Sequence, residues 1–215
     1  MCLVYELQRA AAQQGISIES LVRKASLVSR KLELDDFCKA LDKELNGYSD
    51  GDSIPDYRKI RGILKCNSPM VGWIPVVIED KSFEKRFTMR VIRQSIHELQ
   101  CLYDINESYL TMMLSAQENR YLAQYIEEDI EMSQFCIMIP RVSIYNILAR
   151  IQDFILRWSL DLEKLGILGD DIKFSLEEID KAKTVPKIYN YTNNFSGSVA
   201  TSQIQQGAID SHMEV

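Results

Sequence analysis

Residues 142–165, VSIYNILARIQDFILRWSLDLEKL, form the longest amphipathic pattern in the chain and decide the expected fold. Apolar residues recur in steps of three and four from Ile144 through Trp158 to Leu165, which is the spacing of one face of an α-helix. Arginine and aspartate residues run along the other face, as is typical of a solvated helix surface. Gly166 follows, and glycine commonly ends a helix. The pattern predicts a long helix that covers a core.

Three shorter amphipathic helices are predicted before residue 48. Residues 3–14 have helical spacing, Ser17 is suited to be the N-cap of a second helix, and Asp35 is suited to be the N-cap of a third. Gly47 follows the third helix, where a positive φ angle is favoured. The apolar stripes of such helices are stable only when they are packed, so we expect an N-terminal helical unit.

The middle of the chain alternates between strands and helices. Four runs rich in β-branched and aromatic residues are predicted to be strands: residues 60–66, 73–79, 109–114 and 135–139. Two helices are predicted among them, at residues 94–103 and 116–126. Pro75 indicates an edge strand, because proline has no N–H for the ladder. Ser175 and Glu178 have the spacing of a capping box at the start of a last helix.

The composition is that of a globular protein. The chain has 215 residues, of which 46 % are hydrophobic and 26 % are charged, so one α+β domain with a small mixed or antiparallel sheet is expected. We place this domain at residues 1–183 and a linker with a β-forming tail at residues 184–215. The five cysteines are widely separated and odd in number, which favours reduced thiols. Without an apolar span or a signal sequence, the chain is expected to be cytoplasmic and to make no membrane contact.

Charge is distributed unevenly along the chain. Residues 56–93 carry 9 Lys or Arg against 4 Asp or Glu, whereas residues 94–134 carry 1 against 8. The basic segment is compatible with non-catalytic nucleic-acid binding. The alternative, which we favour, is that it faces the acidic segment that follows it, either across the fold or on a neighbouring subunit.

Only one set of residues suggests a reaction. Asp56 follows Pro55 before a predicted strand, and Glu79 and Lys81 end the next. The arrangement has the loose pattern of Mg²⁺-dependent nucleases, in which two carboxylates hold the metal and a lysine assists the attacking water. The other interpretation is a turn carboxylate and a surface pair. The sequence has no glycine-rich phosphate loop and no paired zinc ligands, and its lone helical histidine, His97, is read as structural. We therefore predict no cofactor or resident metal, and we lean towards a protein that is not an enzyme.

The tail differs from the rest of the chain. Residues 188–209 contain no charge and no proline, and they interleave Asn, Gln, Ser and Thr with apolar residues. This composition favours β pairing between chains, so we predict a homo-oligomer held by the tail. A tail folded along an edge of its own sheet is the alternative. The predicted oligomerisation residues are the apolar Tyr191, Phe195, Val199 and Ile204, with Gly197 and Gly207 at turns.

Several segments resemble one family. They are residues 20–25 (SLVRKA), 43–48 (KELNGY), 54–62 (IPDYRKIRG), 72–76 (GWIPV), 155–163 (ILRWSLDLE) and 202–207 (SQIQQG). Together they resemble the AbiTii family of bacterial abortive-infection proteins, most closely over residues 18–79 and 141–207. The resemblance implies phage defence in a bacterial cytoplasm, with a possible protein partner. It brings no catalytic residues to this chain.

The residues of these motifs have structural interpretations. The 43–48 motif reads as a helix end that turns the chain at Gly47. Tyr57 and Trp73 are suited to the seam between the helices and the sheet. An Asp56–Arg58 contact is expected to fix the turn at residues 55–58.

Overall fold

The computed structural model describes residues 2–68, 70–126, 134–171 and 173–185. Over these ranges it confirms the α+β prediction. The α-helices are α1 (Leu3–Ala12), α2 (Ile18–Lys31), α3 (Asp35–Asn46), α4 (Lys81–Thr88), α5 (Ile96–Asp104), α6 (Ala116–Ile126), α7 (Arg141–Lys164) and α8 (Leu176–Ala182). The strands are β1 (Lys59–Arg61), β2 (Ile63–Ser68), β3 (Gly72–Pro75), β4 (Met89–Val91), β5 (Tyr109–Met113) and β6 (Phe135–Pro140), and a 3-10 turn spans Asp56–Arg58.

The long helix α7 is the centre of the helical part, as its apolar face predicts. Helices α1, α2 and α5 pack against it, and α3 packs against α2. Phe37 of α3 stacks on Trp158 of α7 with their ring centroids 4.1 Å apart, and Trp158 is fully buried. The N-terminal helices therefore bury their stripes against one another and against α7.

Most helix boundaries follow the capping signals. The Ser17 hydroxyl accepts from the N–H of Ser20, and Ser175 and Glu178 form the predicted capping box. The prediction for α3 was wrong by one position, because Leu34 is the N-cap and Asp35 is the first helical residue. There the Asp35 carboxylate lies beside the free N–H groups of the first turn, which stabilises the helix end without a capping bond.

The main sheet has four strands in the order β3-β2-β6-β5, and every pair is antiparallel. Strand β3 is at one edge, which confirms the prediction from Pro75. A second, smaller sheet pairs β1 with β4.

The predicted strand at residues 60–66 is wrong as a single element. It is divided at Gly62 into β1 and β2, which belong to different sheets. The N–H of Gly62 donates to the carbonyl of Thr88 at 2.8 Å. A Cβ at this position would be 2.2 Å from Cγ2 of Ile137, so the chain crosses between the sheets where only a glycine leaves room for β6.

Helix α4 and strand β4 were not predicted for residues 80–93, although the signals are present in the sequence. Asp80 is the N-cap of α4 and accepts from the N–H groups of Ser82 and Phe83. Phe83 and Phe87, four residues apart, are the buried face of this helix. Strand β4 follows directly.

The predicted tail and its oligomerisation residues lie outside the described residues. Val185, the last described residue, is still buried against the core. None of the helices described above is both long enough and apolar enough to cross a bilayer.

Candidate functional site

Two of the sequence motifs meet in a buried ion pair. Glu44 lies in the last turn of α3, and Arg58 ends the 3-10 turn. Nη2 of Arg58 donates to Oε2 of Glu44 at 2.5 Å, and the two side chains are 0 % and 2 % exposed. The sequence places Glu44 on the apolar stripe of α3, three residues after Leu41 and seven after Phe37. A charge on a buried stripe is the signal that could have identified this pair.

Two tyrosines complete the coordination of the carboxylate. The hydroxyls of Tyr48 and Tyr57 both donate to Oε1 of Glu44, the latter at 2.5 Å. The ring of Tyr48 also lies against the guanidinium group, whose carbon is 4.8 Å from the ring centroid. Tyr57 therefore links the 3-10 turn to α3 and is half-buried against the core.

Arg58 also fixes the segment that follows β4. Its Nη1 donates to the carbonyl oxygen of Ile92 at 3.2 Å and to that of Gln94 at 2.7 Å. On the same side, Gly47 adopts a φ of +87°, and a Cβ there would be 2.9 Å from the carbonyl oxygen of Arg93. The cluster of Glu44, Tyr48, Tyr57 and Arg58, hereafter the Glu44–Arg58 cluster, thus joins α3, the 3-10 turn and residues 92–94.

Burial dominates the electrostatics of the cluster. Burial, followed by the neighbouring Glu44 carboxylate, raises the pKa of both Tyr48 and Tyr57 well above the ordinary value. Burial works to lower the pKa of Arg58, but Glu44 together with Tyr48 and Tyr57 more than offsets this and the net shift is upward. The tyrosines therefore remain hydrogen-bond donors and Arg58 remains charged at physiological pH.

The cluster is closed and its charges are satisfied internally. Because the Glu44 and Arg58 side chains are almost inaccessible, a substrate cannot reach them. Nε of Arg58 is buried without a hydrogen-bond partner, but the other contacts of this buried ion pair hold its elements in one arrangement. The 43–48 and 54–62 motifs are accordingly used to join elements of the fold.

The expected Asp56–Arg58 contact is wrong. Asp56 is exposed and pairs with Nζ of Lys59 at 2.6 Å, whereas Arg58 turns inward to Glu44. The physical reason is that the inward position offers Arg58 a buried carboxylate and two carbonyl groups. A single exposed carboxylate in water would bind the guanidinium group less strongly.

The three candidate nuclease residues lie on three different parts of the fold, and strands β1, β2 and β3 separate the first from the other two. Asp56 starts the 3-10 turn, Glu79 lies in the exposed segment after β3, and Lys81 begins α4. Lys81 pairs with Glu84 of its own helix at 3.3 Å. Within the described ranges, no group of three or more His, Cys, Asp or Glu side chains is arranged to hold a metal ion.

A second polar arrangement, which the sequence analysis missed, lies on the surface between α2 and α5. Nδ1 of His97 is 3.2 Å from Oε2 of Glu19, and Nε2 is 3.8 Å from Sγ of Cys101. Arg23 also binds Glu19, and the hydrogen bonds from Arg23 and then His97 lower the pKa of that carboxyl. The order carboxylate, imidazole, thiol is that of an activated nucleophile. However, Cys101 is exposed and lies in the last turn of α5, where the helix dipole disfavours a thiolate.

The basic segment is largely paired within the fold. Arg90 binds Glu118 of the acidic segment at 3.1 Å, as the favoured interpretation predicts for this residue. The other ion pairs of the segment join Arg58 to Glu44, Lys59 to Asp56, Arg61 and Lys81 to Glu84, and Arg93 to Asp50. Arg86 lies over the ring of Tyr121 at 5.8 Å.

These features describe an α+β domain whose motif residues form a closed structural cluster. A family model matches residues 2–187, and the chain belongs to the AbiTii family. No curated protein and no solved structure is significantly similar to it. Membership of this family implies a role in abortive-infection phage defence.

Proposed function

We propose that the protein exerts its defence function through self-assembly and binding of a partner protein of the defence system. On this proposal several copies associate through the uncharged segment 188–209, with Tyr191, Phe195, Val199 and Ile204 as apolar contacts and Gly197 and Gly207 at turns. A lone short hairpin is marginal in water, whereas stacked tails satisfy one another's backbone groups.

The observation that carries the proposal is the closure of the Glu44–Arg58 cluster. The motif residues of this cluster make their polar contacts within the fold, and its ion pair is closed to a substrate. Large apolar side chains are at the same time exposed, among them Met70, Val142 and Leu176. Such side chains are suited to contacts with other chains.

An infection assay tests the proposal against the nuclease alternative. We expect Asp56→Ala, Glu79→Ala and Lys81→Ala each to protect cells from phage as well as the wild type, because each residue is on the surface and outside the cluster. We expect a full-length chain carrying Phe195→Asp and Ile204→Asp to lose protection, because two charges would oppose copies of themselves in a stacked tail.

The opposite pattern would contradict the proposal. If a surface substitution at Asp56, Glu79 or Lys81 abolished protection in a protein with unchanged circular dichroism, a catalytic role would be indicated. A Mg²⁺-dependent cleavage assay on DNA and RNA would then identify the substrate.

A further inference from the structure

Strand β5 leaves one edge of the main sheet open in the described part of the chain. It is the last strand in the order β3-β2-β6-β5, and its only strand partner there is β6. Open edges are sites of pairing between chains unless a charge, a proline or a bulge protects them. The sequence of β5 is YLTMM, and it has none of these protections.

The hydrogen-bond pattern shows which residues of β5 present their backbone to the open edge. The N–H of Leu114 donates to the carbonyl of Phe135, and the N–H of Arg141 donates to the carbonyl of Ser108. Bonding alternates along an antiparallel pair, so the even-numbered residues bond β6. Tyr109, Thr111 and Met113 therefore direct their N–H and C=O groups outward.

The opposite edge of the sheet is built differently. The N–H of Val76 donates to the carbonyl of Leu64, so Trp73 and Pro75 are the residues of β3 that face outward. Pro75 has no N–H to offer, which interrupts that edge. Of the two edges, β5 is the one that presents an unbroken row of donors and acceptors.

We propose that β5 pairs in antiparallel fashion with β5 of a second copy of this chain, about a twofold axis at Thr111. This arrangement places Thr111 opposite itself and Tyr109 opposite Met113 of the second copy. A threonine opposite a threonine, or an aromatic residue opposite an apolar one, is a favourable pair across two strands. The contact deepens the self-assembly proposed above, but it uses a surface distinct from the tail.

The charge pattern around β5 fits a second copy. A twofold axis brings identical residues together, and a charge at its centre would oppose itself. Glu107, the nearest charge before the strand, falls instead opposite Ser115 of the second copy. No pair of like charges is created along the strand.

Exposed apolar side chains extend this surface. Tyr109 and Met113 are 44 % and 51 % exposed, and Val142 and Tyr145 lie in the first turns of α7, which begins directly after the β6 residue that pairs with Tyr109. Their burial between two copies would add a hydrophobic contribution to that of the backbone hydrogen bonds.

The first test compares full-length variants by sedimentation equilibrium. We expect Thr111→Lys to weaken self-association at least about 100-fold, because two ammonium groups would meet at the axis. Val77→Lys is the matched control, since it adds the same charge to an 85 % exposed residue beyond β3, and we expect it to associate as the wild type does. The thermal midpoint of each variant checks that the fold is retained.

The second test uses amide hydrogen exchange on the wild type and needs no variant. We expect exchange at Thr111 to slow as protein concentration rises, because its outward N–H becomes bonded. The outward N–H of Trp73 is the internal control, and its exchange should not depend on concentration.

The outcomes separate this contact from the tail. If Thr111→Lys associates like the wild type while the Phe195→Asp, Ile204→Asp variant dissociates, pairing at β5 is overturned and the tail proposal stands. If Thr111→Lys dissociates while the Phe195→Asp, Ile204→Asp variant associates like the wild type, pairing at β5 is supported and the tail proposal fails. Exchange at Thr111 that is independent of concentration in an associating protein also overturns pairing at β5.

Discussion

At the scale of single residues, the fold depends on a few polar side chains buried where apolar ones would be expected. Glu44 and Arg58 are placed by two separate motifs and meet only in the folded chain. Removing one member leaves the other charged and without its partner in a low-dielectric surrounding. The effect of a substitution here is therefore much larger than that of the same substitution at the surface.

We expect Arg58→Leu to lower the free energy of unfolding by about 3–5 kcal/mol, because Glu44 is left buried and unpaired. Arg61→Leu is the control, because Arg61 is 59 % exposed in its pair with Glu84 and its loss should cost about 0–1 kcal/mol. Urea unfolding of both variants measures the difference. If both variants lost the same free energy of unfolding, the buried pair would stabilise the fold no more than the exposed pair does.

The raised tyrosine pKa values predict a loss of stability in alkali. Above pH about 10 the unfolded chain loses tyrosine protons that Tyr48 and Tyr57 retain in the fold, so the free energy of unfolding falls as pH rises. Tyr48→Phe should make this slope shallower by up to about 1.4 kcal/mol per pH unit.

The control for this measurement is Tyr145→Phe, because Tyr145 is 50 % exposed and lies far along the chain from the cluster. Its slope should equal that of the wild type in urea titrations between pH 9 and about 11. A Tyr48→Phe slope that is also unchanged would contradict the raised pKa of Tyr48.

At the scale of elements, the sheet depends on a single residue without a side chain. Gly62 separates β1 from β2 and lets the chain pass from the small sheet to the large one. The side chain of Ile137, fully buried in β6, occupies the space that a Cβ would need. This close approach, and not a turn signal, ends the first strand.

We expect Gly62→Ala to destabilise the protein by about 1–3 kcal/mol, the usual cost of overpacking a core. Gly51→Ala is the control, because a Cβ at Gly51 meets nothing within 4 Å, and its effect should stay within about 0.5 kcal/mol. Thermal unfolding of the two variants measures the difference in stability. A stable Gly62→Ala protein would mean that β6 can move away from the crossing.

At the scale of the whole molecule, the described domain and the uncharged tail have different tasks in our proposal. The domain buries one continuous core from Val4 to Val185, whereas segment 188–209 has too few apolar residues to form a core of its own. Association of copies is the way in which such a segment can satisfy its polar groups.

We therefore expect light scattering to give more copies per particle for the full chain than for a chain that ends at Val185. The chain ending at Val185 keeps β5, so it retains whatever association that strand supports. Circular dichroism of both proteins should show the same helix content. The same number of copies per particle at every concentration would contradict assembly through the tail.

The sequence alone determined the local structure wherever a pattern is periodic or capped. These features depend on neighbours within a few residues, and they were therefore predictable. They are the apolar face of α7, the Ser17 and Ser175 caps, the strands β5 and β6 and the edge position of Pro75.

Only the tertiary structure decided the contacts between distant segments. It paired Arg58 with Glu44 instead of Asp56, broke a predicted strand at Gly62, and brought Glu19 to His97. It also left β5 at an open edge in the part of the chain described. Such features depend on which surfaces meet after the elements have formed. The sequence around a polar side chain, a glycine or a neutral strand is the same whichever distant segment it contacts in the fold. Local patterns therefore do not identify the partner.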